Sequence, residues 1–107
     1  MDIHAFPTDA QTPVDRAEAA RIAADHLPAD APDTERRIIE FPEGFAVFAV
    51  VRTNAPPDPP VPVGGSVYVI DKPTGAVSAW PTYPPALIAA HYATARLIVA
   101  DDRPEPD

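Results

Sequence analysis

GGSVYVIDKPTGAVSAW, residues 64–80, decides the fold. Ser66 to Asp71 alternates with the period of a strand, Val67 and Val69 on one face and Tyr68 and Ile70 on the other. Lys72-Pro73-Thr74-Gly75 carries turn chemistry, because proline presets φ and glycine accepts the positive φ that closes a hairpin. Ala76 to Trp80 then returns as the partner strand, so the stretch predicts a β-hairpin.

Working outward toward the N-terminus, residues 36–52 predict a second hairpin. Arg36 to Phe41 alternates, with Ile38 on one face and Ile39 and Phe41 on the other, and Pro42-Glu43-Gly44 is a tight turn. Phe45 to Arg52 is the most apolar strand. Phe45, Val47, Ala49 and Val51 share one face and Ala46, Phe48 and Val50 the other, which predicts a central strand covered on both sides. Residues 53–63, TNAPPDPPVPV, hold five prolines and link the hairpins as a stiff loop.

Thr12-Pro13-Val14-Asp15 reads as a helix start, with Thr12 as N-cap, Pro13 at the first helical position and acids in the first turn. That helix runs to about His26, with Val14, Ala17, Ala20, Ala24 and Leu27 as its buried seam, and Pro28 ends it. A second helix opens at Pro84 or Pro85 and runs to about Leu97, with Leu87, Ile88, His91, Tyr92 and Ala95 facing inward. The expected fold is α+β: an N-terminal helix packed on a four-stranded antiparallel meander sheet, with a C-terminal helix. The 107 residues make a single domain with an ordered core of about 12–98, a lead-in at 1–11 and a disordered acidic tail at 101–107.

Composition narrows the function classes. Sixteen prolines against four glycines confine regular structure to short windows, and aromatics are only 7%, which predicts a thin core. The absence of cysteine excludes disulfides and thiolate chemistry. The first residues lack a secretory pattern, and the longest apolar run, Phe45 to Val51, is too short for a membrane span, so the expectation is a cytoplasmic protein. The formal charge of −8 divides into −6 over residues 1–35, +1 over 36–100 and −3 over 101–107. Without clustered Lys and Arg, nucleic-acid binding is disfavoured, whereas a basic protein partner suits this charge.

Candidate chemistry is sparse. His4, His26 and His91 lack metal-ligand spacing. Ser66, Asp71 and His91 contain the residue types of a hydrolase triad, but no GxSxG elbow frames the serine, and Asp71 reads better as a turn cap. Gly64-Gly65 lacks the strand, helix and lysine of a phosphate loop. Glu40 and Glu43 read as a solvated strand end and turn. No catalytic residue, metal or cofactor is assigned. Trp80 reads as a core plug, and Tyr83 as either packing or recognition.

The helix VDRAEAARIAADHL, the strand pair and GGSVYVIDKPTGAVSAWPTYPPALIAAHY together resemble small bacterial YrhB-like immunity proteins over about residues 13–93. The hairpin Val69-Ile70-Asp71-Lys72-Pro73-Thr74-Gly75-Ala76-Val77 carries most of that likeness, which PepSY domains share more weakly. The proline loop 53–63 departs from the pattern. The resemblance implies a non-enzymatic protein that binds and neutralises a cognate toxin with a basic surface. The alternatives are a PepSY-like regulatory or inhibitory module and a small-molecule-binding domain. For partner contact the sequence nominates Asp15, Glu18 and Asp25 as an acidic helix stripe opposite the alanine seam, Asp30 and Asp33 in the connector, and Tyr83.

Overall fold

The computed structural model describes residues 2–27, 32–55 and 61–99. In chain order the elements are β1 (Asp2–Phe6), α1 (Arg16–His26), β2 (Thr34–Phe41), β3 (Gly44–Val51), β4 (Val63–Asp71), β5 (Val77–Trp80), α2 (Pro85–Thr94) and β6 (Arg96–Val99). The sheet has six strands in the order β2-β3-β4-β5-β1-β6. The class is α+β as expected, and β2 to β5 form the expected antiparallel meander.

Two strands extend that meander. Residues 2–6, expected only as a lead-in, pair antiparallel with β5 and parallel with β6. Arg96–Val99, expected to lie at and beyond the end of the C-terminal helix, forms β6 instead, because Ala95 turns extended (φ −86°, ψ 156°) and stops α2 at Thr94. A Leu-Ile-Val run favours a pleated surface once a strand edge is available to pair with it. The predicted disorder of 101–107 lies outside the described residues.

The sheet is covered on both faces. On one, α1 packs Ala19, Ile22 and Ala23 against Phe45, Val47, Ile70 and Val77. On the other, α2 packs Ile88 and Tyr92 against Phe41, Ala46, Phe48, Val67, Val69 and Trp80. The two-sided apolar pattern of β3 thus has the physical cause read from its sequence, and Trp80 is a buried core residue at 5% exposure. Between Val47 and Ala49 the β3–β4 register shifts: Val47 pairs with Tyr68 and Ala49 with Val63, so four residues of β4 span what one residue of β3 spans.

Three helix details differ from expectation. The N-cap of α1 is Asp15, not Thr12: its carboxylate accepts from the Glu18 backbone N–H at 2.8 Å. Val14, just before the cap, donates its own N–H to the Lys72 carbonyl at 2.9 Å, which ties the start of the helix to the β4–β5 turn. Its side chain joins Ala19 in the α1 core, the arrangement of a hydrophobic staple. The buried seam is Ala19, Ile22 and Ala23, while Ala17, Ala20 and Ala24 are exposed. Burying isoleucine gains far more than burying alanine, so Ile22 sets the rotation of the helix. On α2, Pro85, Ile88 and Tyr92 are buried, and Leu87 and His91 face outward.

Candidate functional site

The Asp71–Gly75 turn is where the elements meet. Gly75 takes φ +71°, and its amide donates to the Asp71 carbonyl at 2.8 Å. An added Cβ at Gly75 would stand 2.6 Å from the Ala10 Cβ, because residues 8–10 lie against the turn. Thr8 Oγ1 donates to the Gly75 carbonyl at 2.7 Å. The neighbouring Lys72 amide donates to the Glu43 carbonyl at 3.0 Å, which ties the two hairpin turns together.

Asp71 is 6% exposed, and both carboxylate oxygens are engaged. Oδ1 accepts from the Tyr92 hydroxyl at 2.8 Å and Oδ2 from Thr74 Oγ1 at 2.7 Å. Burial, then the hydrogen bond to Asp71 and the negative charges of Asp71 and Glu43, raise the Tyr92 hydroxyl far above its ordinary pKa of 10.0. Tyr92 therefore stays a neutral donor at any physiological pH. The contact fastens α2 to the β4–β5 turn and leaves Asp71 without a free oxygen for chemistry. The nominal triad is not assembled: Ser66 and His91 are both exposed, and Asp71 is committed to Tyr92 and Thr74.

The acidic residues nominated on α1 do not form an unoccupied stripe. Arg21 pairs with two of them, Glu18 at 2.7 Å and Asp25 at 3.1 Å, and with Asp9 of the lead-in at 3.5 Å, while Asp15 caps the helix. Glu18 also accepts from the Gln11 backbone N–H at 2.7 Å. The Arg21 hydrogen bond, followed by that of Gln11, lowers the Glu18 pKa to about 2. Asp9 is lowered chiefly by its hydrogen bond to His26, at 2.8 Å, and also by Arg21. This network fastens residues 9–11 to the helix. Asp33 takes the left-handed φ of 64°, which aspartate tolerates better than most residues, and its carbonyl accepts from the Arg52 amide at 2.9 Å. Asp30 lies outside the described residues.

Tyr83, the remaining nominated residue, is 44% exposed and directly precedes the Pro84-Pro85 start of α2. Beside that start, a groove of about 320 Å³ runs between α2 and the β2–β3 hairpin, its lining including Ile39, Phe41, Ala46, Pro84, Pro85 and Ala89. Leu87, on the outward side of α2, is 42% exposed. A sequence signal for this surface exists: residues 73–95 contain no Asp, Glu, Lys or Arg. A helix apolar on nearly every side is ordinarily covered on every side. Among the described residues, no three His, Cys, Asp or Glu side chains form a metal-ligating group, and no helix is long and apolar enough to cross a membrane.

A sheet sandwiched between two short helices, with a buried carboxylate bonded to Tyr92 and Thr74 and an apolar groove beside α2, defines a small α+β domain. The chain belongs to the immunity protein 35-like domain family, whose model matches residues 17–98. The match begins within α1 and leaves out β1, the strand between β5 and β6. No curated protein and no solved structure gave a significant match.

Proposed function

We propose that this chain is an immunity-type protein that neutralises a cognate toxin by binding it, acting in the cytoplasm and without catalysis of its own. Membership of the immunity protein 35-like family is the observation that carries this reading. The organisation of the polar side chains supports it: Asp71, Thr74 and Tyr92 fasten helix to sheet, and Asp9, Glu18, Arg21 and Asp25 fasten helix to lead-in. A formal charge of −8 favours a toxin with a basic surface and speeds the encounter through long-range attraction.

Of the nominated contact residues, Asp25 and Asp33 contribute charge without capping a helix, whereas Asp15 and Glu18 also hold the start of α1. The α1 acids act as steering charge in this reading, and the surface around Tyr83 supplies the contact. Co-expression with the toxin encoded beside this gene is the test. Restored growth together with a co-purifying complex is the expected result. A toxin that kills unimpeded and elutes apart from this chain would overturn the reading.

A further inference from the structure

The sheet ends on one side at β2, which among the described residues has only β3 beside it. At eight residues it is twice the length of β6, the strand at the opposite edge. An edge strand of this length presents a row of backbone donors and acceptors on which another strand can pair. The register fixes which ones. The Arg52 amide donates to the Asp33 carbonyl at 2.9 Å. By antiparallel alternation, residues 35, 37, 39 and 41 therefore turn their backbone groups to β3, and Thr34, Arg36, Ile38 and Glu40 turn theirs outward. Two arginines reach this edge. Arg16 Nη2 donates to the Ile38 carbonyl at 2.9 Å, and Arg52 Nη2 donates to the Thr34 carbonyl at 3.4 Å. Both acceptors belong to the outward set. Arg16 is the first residue of α1, where a cation opposes the positive end of the helix dipole, so the helix gains nothing from its charge there. Its guanidinium bridges instead from helix to strand, onto the middle of the open edge.

We propose that the β2 edge is a pairing surface for a second copy of this chain, held shut by Arg16 with Arg52 in support. The strand TERRIIEF complements itself in the antiparallel register centred on Ile38. There residues 35–41 of the two copies pair, and Arg36 of each faces Glu40 of the other, an opposite-charge pair made twice. Registers centred on Arg36 or Arg37 set two arginines face to face. Glu40 is exposed beside Lys72 at 2.8 Å, so its carboxylate can take a second cation. At the centre each Ile38 exchanges its N–H and carbonyl with Ile38 of the other copy, and that carbonyl is the one Arg16 occupies. The register that charge favours is the register the guard forbids.

Arg16→Ala combined with Arg52→Ala opens the edge and leaves the backbone bond of residue 52 in place. Size exclusion with light scattering should show the unaltered protein as a monomer and the double variant as a dimer. Amide exchange reads the surface. In the double variant at ten times its dissociation constant, exchange at Arg36, Ile38 and Glu40 should slow by about ten-fold relative to dilute protein. The chain has no cysteine, so Ile38→Cys in that background should crosslink to its copy under oxidised glutathione. Glu40→Cys, more than about 13 Å from its counterpart in this register, should not. Should the double variant melt well below the unaltered protein, Arg16→Ala alone takes its place, with weaker pairing expected at the same three amides. A variant that stays monomeric, an unaltered chain that already pairs through this edge, or slowed exchange confined to another surface would each overturn the proposal. So would slowing at the edge that needs added toxin, which would give the surface to that partner instead. None of these outcomes depends on whether the chain protects against the toxin.

Discussion

Replacing Tyr92 by phenylalanine removes a single hydroxyl and leaves the ring, with its edge-on contact to Phe41 and its tilted contact to Trp80, in place. What is lost is the 2.8 Å hydrogen bond to Asp71 Oδ1, an oxygen on a side chain that is 6% exposed. Water cannot easily replace that donor, and a hydrogen bond to a charged group contributes about 1.5–3 kcal/mol. A loss of about 2 kcal/mol corresponds to a fall of roughly 8–16 °C in the melting midpoint of a domain this small. Urea unfolding followed by circular dichroism measures it at neutral pH, with Tyr83→Phe as the matched control. Tyr83 is 44% exposed, so its hydroxyl should be worth less than about 0.5 kcal/mol. Adding Thr74→Val, which removes the second donor at 2.7 Å, should give a non-additive cycle because both groups serve one carboxylate. If Tyr92→Phe is no more costly than Tyr83→Phe, Asp71 does not depend on α2 and its role as a fastening point is wrong.

Gly75→Ala should destabilise by more than about 1 kcal/mol, since it combines the strain of a positive φ with a Cβ 2.6 Å from that of Ala10; the unfolding midpoint reads it. Asp15→Ala should cost about 0.5–2 kcal/mol through loss of the helix cap, whereas Thr12→Ala should be nearly neutral; paired urea curves separate them. Glu18 has its pKa lowered from 4.5 to about 2 in the folded state, so its contribution is present above about pH 4.5 and is lost as pH falls toward 2. Glu18→Gln should therefore flatten the acid limb of a stability-against-pH curve between those values and change little in its slope above pH 6.

The antiparallel meander was legible because each strand alternates and each turn carries its own signal, proline at Pro42 and Pro73 and glycine at Gly75. The two outer strands were not, for a physical reason. Asp2–Phe6 is five residues with Ile3 and Ala5 buried, too short for its period to stand out, and it is a strand because β5 offers it an edge. Leu97 continued the apolar pattern of the second helix and was read, with Arg96, as its end, while Ile98-Val99 alone were too short to signal a strand. The rotation of α1 was misread because alanine lies on both sides of that helix, two buried and three exposed, and Ile22 is the one large apolar residue that separates the faces. As for the candidate site, Tyr83 was legible as an aromatic among prolines. The groove beside it was not, since Ile39, Phe41 and Ala46 come from another hairpin and meet Pro84 and Ala89 only in the folded sheet. The acidic stripe was readable as charge, but its neutralisation by Arg21 depends on the side-chain reach of i+3 and i+4 neighbours and on the lead-in folding back.

The position of β1 between β5 and β6 has a consequence for the order in which the molecule forms. During synthesis, residues 34–80 can complete the meander from contacts between neighbours in the chain, while residues 2–6 remain without a hydrogen-bonding edge until residue 80 has emerged. β6, in turn, has only β1 as a sheet neighbour among the described residues, across more than ninety residues. Closing so long a loop carries an entropy cost that no local contact offsets in advance, so β1 and β6 should assemble late, after the meander that residues 34–80 form.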